Sequence, residues 1–156
     1  MSLEDFVNRK LNEPGDESDK EDIRALMASH LRTGVKLQQE GKLREALEEF
    51  QKEHNRPIKS DIDANIMQTS YVQVGVVKRK LGEVNEAIAA LQKARELLEI
   101  YHVGTYPHGD LAEIYIELGK YDEAIQICQE WRESSRSGSA RDLLAKALAL
   151  KNKRSS

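Results

Sequence analysis

The chain has 156 residues, of which 33% are charged and only 5% aromatic, with three prolines and a net charge of −3. That length can bury a hydrophobic core as one domain, and the composition suits an α-helical repeat better than a β-sandwich. The charge is too small to imply nucleic-acid binding by itself, the lone Cys128 excludes an internal disulfide, and no apolar run reaches the roughly 18 residues of a membrane span.

The first residues, Met1-Ser2-Leu3-Glu4-Asp5-Phe6, are acidic and lack the apolar core of a secretory signal. With a single thiol, a cytoplasmic, reducing setting is expected. Leu3, Phe6, Val7 and Leu11 fall at helical spacing, which predicts a short amphipathic helix over residues 2–10. Residues 12–22 read as an acidic linker. Residues 1–22 carry −5 and the remaining body +2, so the negative charge lies in this arm. A helix that short is marginal alone, below the roughly 12–15 residues usually needed in water. Order there requires a docking surface, on its own chain or on a second subunit.

The first long helical pattern covers residues 23–40, with Ile23, Leu26, Met27, His30, Leu31, Gly34, Val35 and Leu37 on one broad face. Gly41 stops it. A second helix runs from Leu43 to about His54 with Leu43, Ala46, Leu47 and Phe50 inward, and Pro57 prevents it from continuing. Ser60, with Asp63 three residues later, has the spacing of a helix cap. The helix it opens runs to about Leu81, Gly82 ends it, and a return helix covers about residues 83–102. Pro107 is placed to start the next helix, which ends near Leu118. Its partner spans about residues 121–133, with Ala124, Ile125, Cys128 and Trp131 inward. A turn at 134–138 leads to a last helix over 139–151, followed by a basic tail at 152–156 whose cations suit a helix C-terminus.

Three segments align on Gly41, Gly82 and Gly119. Five residues after each glycine stands Ala46, Ala87 or Ala124, and nine after stands Phe50, Leu91 or Cys128. Seven before are the small Gly34, Gly75 and Ala112, and eleven before are the ring-bearing His30, Tyr71 and His108. Small residues let two helices approach closely, and larger ones fill the space between neighbouring hairpins. One such hairpin cannot bury its face alone, whereas three with a terminal cap can.

This pattern resembles the tetratricopeptide repeat family over roughly residues 27–133, with a solvating helix at 139–151. The resemblance implies an all-α fold, a right-handed solenoid of antiparallel helical hairpins at about 23–57, 60–102 and 106–133. The glycine spacings of 41 and 37 exceed the family's 34, and Glu53 and Trp131 stand where a small residue is expected.

The resemblance also places a partner-binding groove on the first helix of each hairpin. By offset, its lining is Ala28, Leu31, Arg32, Val35, Gln38 and Gln39 from the first, Thr69, Val72, Gln73, Val76, Arg79 and Lys80 from the second, and Tyr106, Gly109, Asp110, Glu113, Ile116 and Glu117 from the third. An apolar strip of Leu31, Val35, Val72 and Val76 then lies between a basic end at Arg79 and Lys80 and an acidic wall on the third hairpin. That suits an amphipathic helix or an extended peptide of a protein partner. Family members that hold chaperone C-terminal tails use a cationic clamp. The matching positions here, Leu31, Val35, Gln73, Tyr106 and Asp110, hold no cation, so that specialisation is not expected.

No enzymatic function, cofactor or metal is expected. The four histidines show no ligand spacing, and there is no phosphate loop or nucleophile elbow. Cys128, His30, His108 and Trp131 read as packing residues, and Lys78-Arg79-Lys80, without interleaved aromatics, as a solvated helix end. Neither nucleic acid nor membrane insertion is expected. The expected function is a protein–protein interaction module, an adaptor or scaffold. The alternative is a self-associating scaffold or secretion-type chaperone that acts through its N-terminal arm, a homo-oligomer.

Overall fold

Three glycines held in left-handed backbone conformation cut the chain into hairpins: Gly41 and Gly82 at φ 78° and Gly119 at φ 73°. The computed structural model describes residues 28–155, together with residues 9, 12–15 and 17. Apart from Arg9, the helix expected over residues 2–10 lies outside the described residues, as do most of the acidic linker and residues 23–27.

The described helices are α1 (Ser29–Gln39), α2 (Leu43–Lys52), α3 (Asp61–Lys80), α4 (Val84–Tyr101), α5 (His108–Glu117), α6 (Tyr121–Ser134) and α7 (Gly138–Ser155), with a 3-10 turn at Glu53–Asn55 and no strand among the described residues. α1 packs on α2, α3 on α4, and α5 on α6; α2 meets α3, α4 meets α5, and α7 closes over α6 and α5. The last helix continues past its expected end at Lys151 to Ser155, so residues 152–155 are helix and not tail. Its end is held from the third hairpin: Arg154 donates to the Gly119 carbonyl at 2.9 Å, and Lys151 pairs with Asp122 at 2.6 Å.

Each hairpin turn repeats one hydrogen-bond pattern. The N–H after the glycine bonds five residues back, Lys42 to Leu37, Glu83 to Lys78 and Lys120 to Tyr115, at 2.8–2.9 Å. The glycine N–H itself reaches Gln38, Arg79 or Ile116 at 3.0 Å. This is the glycine-terminated helix end, and a Cβ in that conformation costs on the order of 1–2 kcal/mol. The carbonyls of Lys42, Glu83 and Lys120 then accept from Ala46, Ala87 and Ala124, which starts each return helix.

Within the hairpins, small faces large. A Cβ built on Gly34 would lie 2.4 Å from the Phe50 ring, and one on Gly75 2.5 Å from Leu91. In the third hairpin Ala112 and Cys128, both 0% exposed, share one core. The larger small residue accompanies the smaller large one. Of the ring positions, His108 is buried and Tyr71 stacks on His54 of the preceding connection, with centroids 3.6 Å apart. His30 corrects the expectation: it is exposed and bonds Glu49 at 2.8 Å, because no hairpin precedes it among the described residues.

The long spacings have two physical origins. Between the first two hairpins, Arg56 bridges Glu53 at 2.8 Å and Asp63 at 2.9 Å, two carboxylates that are 2% and 0% exposed. Ser60 caps α3 as expected, its hydroxyl accepting the Asp63 N–H. Between the second and third, the fully buried Gln68 donates to the carbonyls of Ala94 and Thr105 and accepts the Thr105 N–H at 2.9 Å. Gly104, at φ 109°, is the residue this latch requires, since a Cβ there would sit 2.0 Å from the Gln68 carbonyl oxygen. α3 and α4, at 20 and 18 residues, reach further than their counterparts to meet these connections.

Candidate functional site

The first helices of the hairpins, α1, α3 and α5, carry the residues expected to line a groove. Leu31 and Val35 are half-buried and pack against the core formed by Phe50, Val74 and Val77. Gln38, Gln73 and Val76 are half-buried. Val72 is only 8% exposed, so it belongs to the core more than to the strip, and the apolar surface narrows to Leu31, Val35 and Val76.

The basic end and the acidic wall form one network. Arg79 on α3 reaches across to α5, with Nη1 2.8 Å from Glu113 and 3.5 Å from Asp110, and Nη2 2.7 Å from Glu117. Residues 110, 113 and 117 stand three and four apart, which places them along one helix face. Three carboxylates share one guanidinium, and their exposure rises from 36% at Asp110 through 47% at Glu113 to 63% at Glu117. Burial raises the Asp110 pKa, and Arg79 opposes that rise. Burial works against the Arg79 charge, but Glu113 and Glu117 outweigh it and hold its pKa up. Lys78 is occupied as well, 2.6 Å from both Glu83 and Glu86.

Tyr106 falls elsewhere. It sits in the connection before α5, its hydroxyl donating to the Ser134 carbonyl at 3.0 Å, and it borders a cavity with residues of α4 and α6. The offset that assigned it to the groove assumes a helix that has already begun, whereas α5 starts at His108.

The remaining candidates behave as packing residues. Cys128 is buried and its thiol pKa is pushed up by that burial, the opposite of an activated nucleophile. The Trp131 ring lies against the α5 start, 3.2 Å from where a Cβ on Gly109 would be. Among the described residues no three His, Cys, Asp or Glu side chains group as a metal site, and no helix is long and apolar enough to cross a membrane.

Residues 66–130 match the family model for the tetratricopeptide repeat. Residues 66–130 are tetratricopeptide-repeat sequence. The match spans α3 to α6 in all but their ends; the first hairpin, outside it, repeats the same Gly41 turn and Gly34–Phe50 contact. Tetratricopeptide repeats generally mediate protein–protein interaction. No curated protein and no solved structure matches the chain.

The sequence did not disclose Gln68 as a latch or Arg95, His108 and Glu130 as a cluster. Their partners lie 22 to 37 residues away, beyond any helical periodicity.

Proposed function

We propose that the chain is a non-enzymatic adaptor that holds a segment of a partner protein along α1, α3 and α5. The observation that carries this reading is the pairing of an apolar strip, Leu31, Val35 and Val76, with a flanking α5 wall on which three carboxylates share the single Arg79 cation. The surplus negative charge favours basic side chains on the α5 side of the bound segment, and the strip favours apolar anchors beside them. An amphipathic segment with one apolar and one basic edge has that chemistry.

The test is Val76→Glu and, separately, Gln73→Arg, each compared with the wild type by affinity capture and by circular dichroism. Both positions are half-buried, so neither change opens a core cavity. The expected result is an unchanged helical spectrum with loss of the proteins retained by the wild type. Retention of the same proteins by both folded variants would place the binding surface off this face.

A further inference from the structure

Most of the described arginines are engaged by acceptors of the protein itself. Arg44 pairs with Glu83, Arg56 with Glu53 and Asp63, Arg79 with the α5 carboxylates, Arg95 with Glu130, and Arg154 with the Gly119 carbonyl. Arg132, Arg136 and Arg141 are not. All three are exposed, and none has a hydrogen-bond or ion-pair partner among the described residues.

These three side chains meet at one place. Arg132 stands near the end of α6, Arg136 in the connection and Arg141 in the first turn of α7. α6 ends at Ser134, and Ser135 is extended at φ −147° and ψ 148°, so the chain turns within three residues before α7 begins. The turn brings all three guanidinium-bearing residues to the border of one surface depression of about 310 Å³, which Ser137 and Gly138 complete. That volume is at the low end of the range of small-ligand sites. Glu133 and Asp142, the acids next to Arg132 and Arg141 in sequence, are exposed and take no part in the border. Among the described residues the depression is thus ringed by cations with no carboxylate to offset them, and only solvent and ions answer their mutual repulsion.

The ligand that answers such a ring is a multivalent anion. Each guanidinium presents a planar fork of N–H donors and accepts nothing. Three forks exceed what the two oxygens of one carboxylate can take up, whereas the three terminal oxygens of a phosphate monoester, with close to two negative charges at neutral pH, match them. We propose that the depression between α6 and α7 binds a phosphoryl group, held by Arg132, Arg136 and Arg141. A phosphorylated side chain of a partner protein and free inorganic phosphate share that chemistry. None of these residues lies on α1, α3 or α5, so this site and the apolar strip are tested independently.

The test is a titration of the full chain, labelled with 15N in its arginines, with sodium phosphate and in parallel with a phosphoserine hexapeptide, at neutral pH and constant ionic strength. The readout is the Nε resonances of Arg132, Arg136 and Arg141. Saturable movement of all three with one shared affinity is expected, and Arg136→Gln is expected to weaken that affinity about tenfold. Lys146→Gln removes an exposed cation of α7 that does not border the depression, and is expected to change the affinity less than about twofold. Both are surface changes that leave the circular dichroism spectrum intact. Acetate is expected to move none of the three resonances. Tighter saturation by the peptide assigns the phosphoryl group to a partner's side chain, and tighter saturation by sodium phosphate assigns it to the free ion; either supports the site. The proposal is overturned if neither probe gives a saturable shift, if acetate reproduces it, if Arg136→Gln leaves the affinity unchanged, or if Lys146→Gln weakens it equally.

Discussion

The close contact between Gly75 and Leu91 is the smallest unit on which this architecture depends. A methyl group on Gly75 would approach the Leu91 side chain to 2.5 Å, so Gly75→Ala is expected to cost about 1–3 kcal/mol despite alanine's better helix propensity. Leu91→Cys leaves a cavity and is destabilising by itself. Together the two changes recreate the Ala112–Cys128 pair of the third hairpin, where a slightly larger residue faces a smaller one. Urea denaturation of the two single variants and the double variant is expected to show the double variant more stable than additivity predicts by about 1 kcal/mol or more. Strict additivity would mean that the two positions are not one packing unit. This pairing was legible in the chain because both partners sit at fixed, short offsets from Gly82, as their counterparts do from Gly41 and Gly119. The exposed His30 was misread for a related reason: an offset gives a position in the repeat but not whether a neighbouring hairpin covers it.

At the scale of elements, the connections are where local reading ran out. Pro57 and Ser60 marked a helix end and a helix start by their own backbone chemistry, and α3 does begin on Ser60. Glu53 stands where a small residue is expected and Asp63 falls three after the Ser60 cap, and neither spacing discloses that both form a buried bridge with Arg56 in the first connection. Gln68 bonds to Thr105, 37 residues on, a distance no local pattern spans. The first connection also carries a pH response. Burial against Tyr71 lowers the His54 pKa from about 6.5 to about 4, with a hydrogen bond to the Ser70 backbone working in the opposite direction. Between those two values the unfolded chain takes a proton that the folded chain refuses. The stabilisation is therefore complete above about pH 6.5 and is lost as the pH falls toward 4. Burial of His108 acts in the same direction. Urea melts from pH 7 to pH 4.5 are expected to lose stability on the order of 1–2 kcal/mol through His54. His54→Phe, which keeps a ring to stack on Tyr71, is expected to flatten part of that slope; an unchanged slope would remove His54 as its source.

At the scale of the molecule, the array is stapled on two faces where the second and third hairpins meet. Arg79 ties α3 to α5, and Arg95, Glu130 and His108 tie α4 to α5 and α6. The core that runs from α4 through α7 is continuous across that joint. Among the described residues the first hairpin is attached differently: its core contacts end at α3 and Ala90 of α4, and Gly34 is the only buried residue of α1. In a linear array each unit is stabilised by its neighbours, so the end with fewer buried contacts opens first. Native-state hydrogen exchange is expected to show α1 amides opening at least tenfold more often than those of α5, a difference of about 1.4 kcal/mol. The proposed groove would then have a yielding wall on α1 and a firm one on α5, and a bound segment would raise protection more on α1 than on α5. Equal protection of the two helices in the free protein would show instead that the first hairpin is locked as tightly as the third, and that the groove meets its partner as a rigid surface.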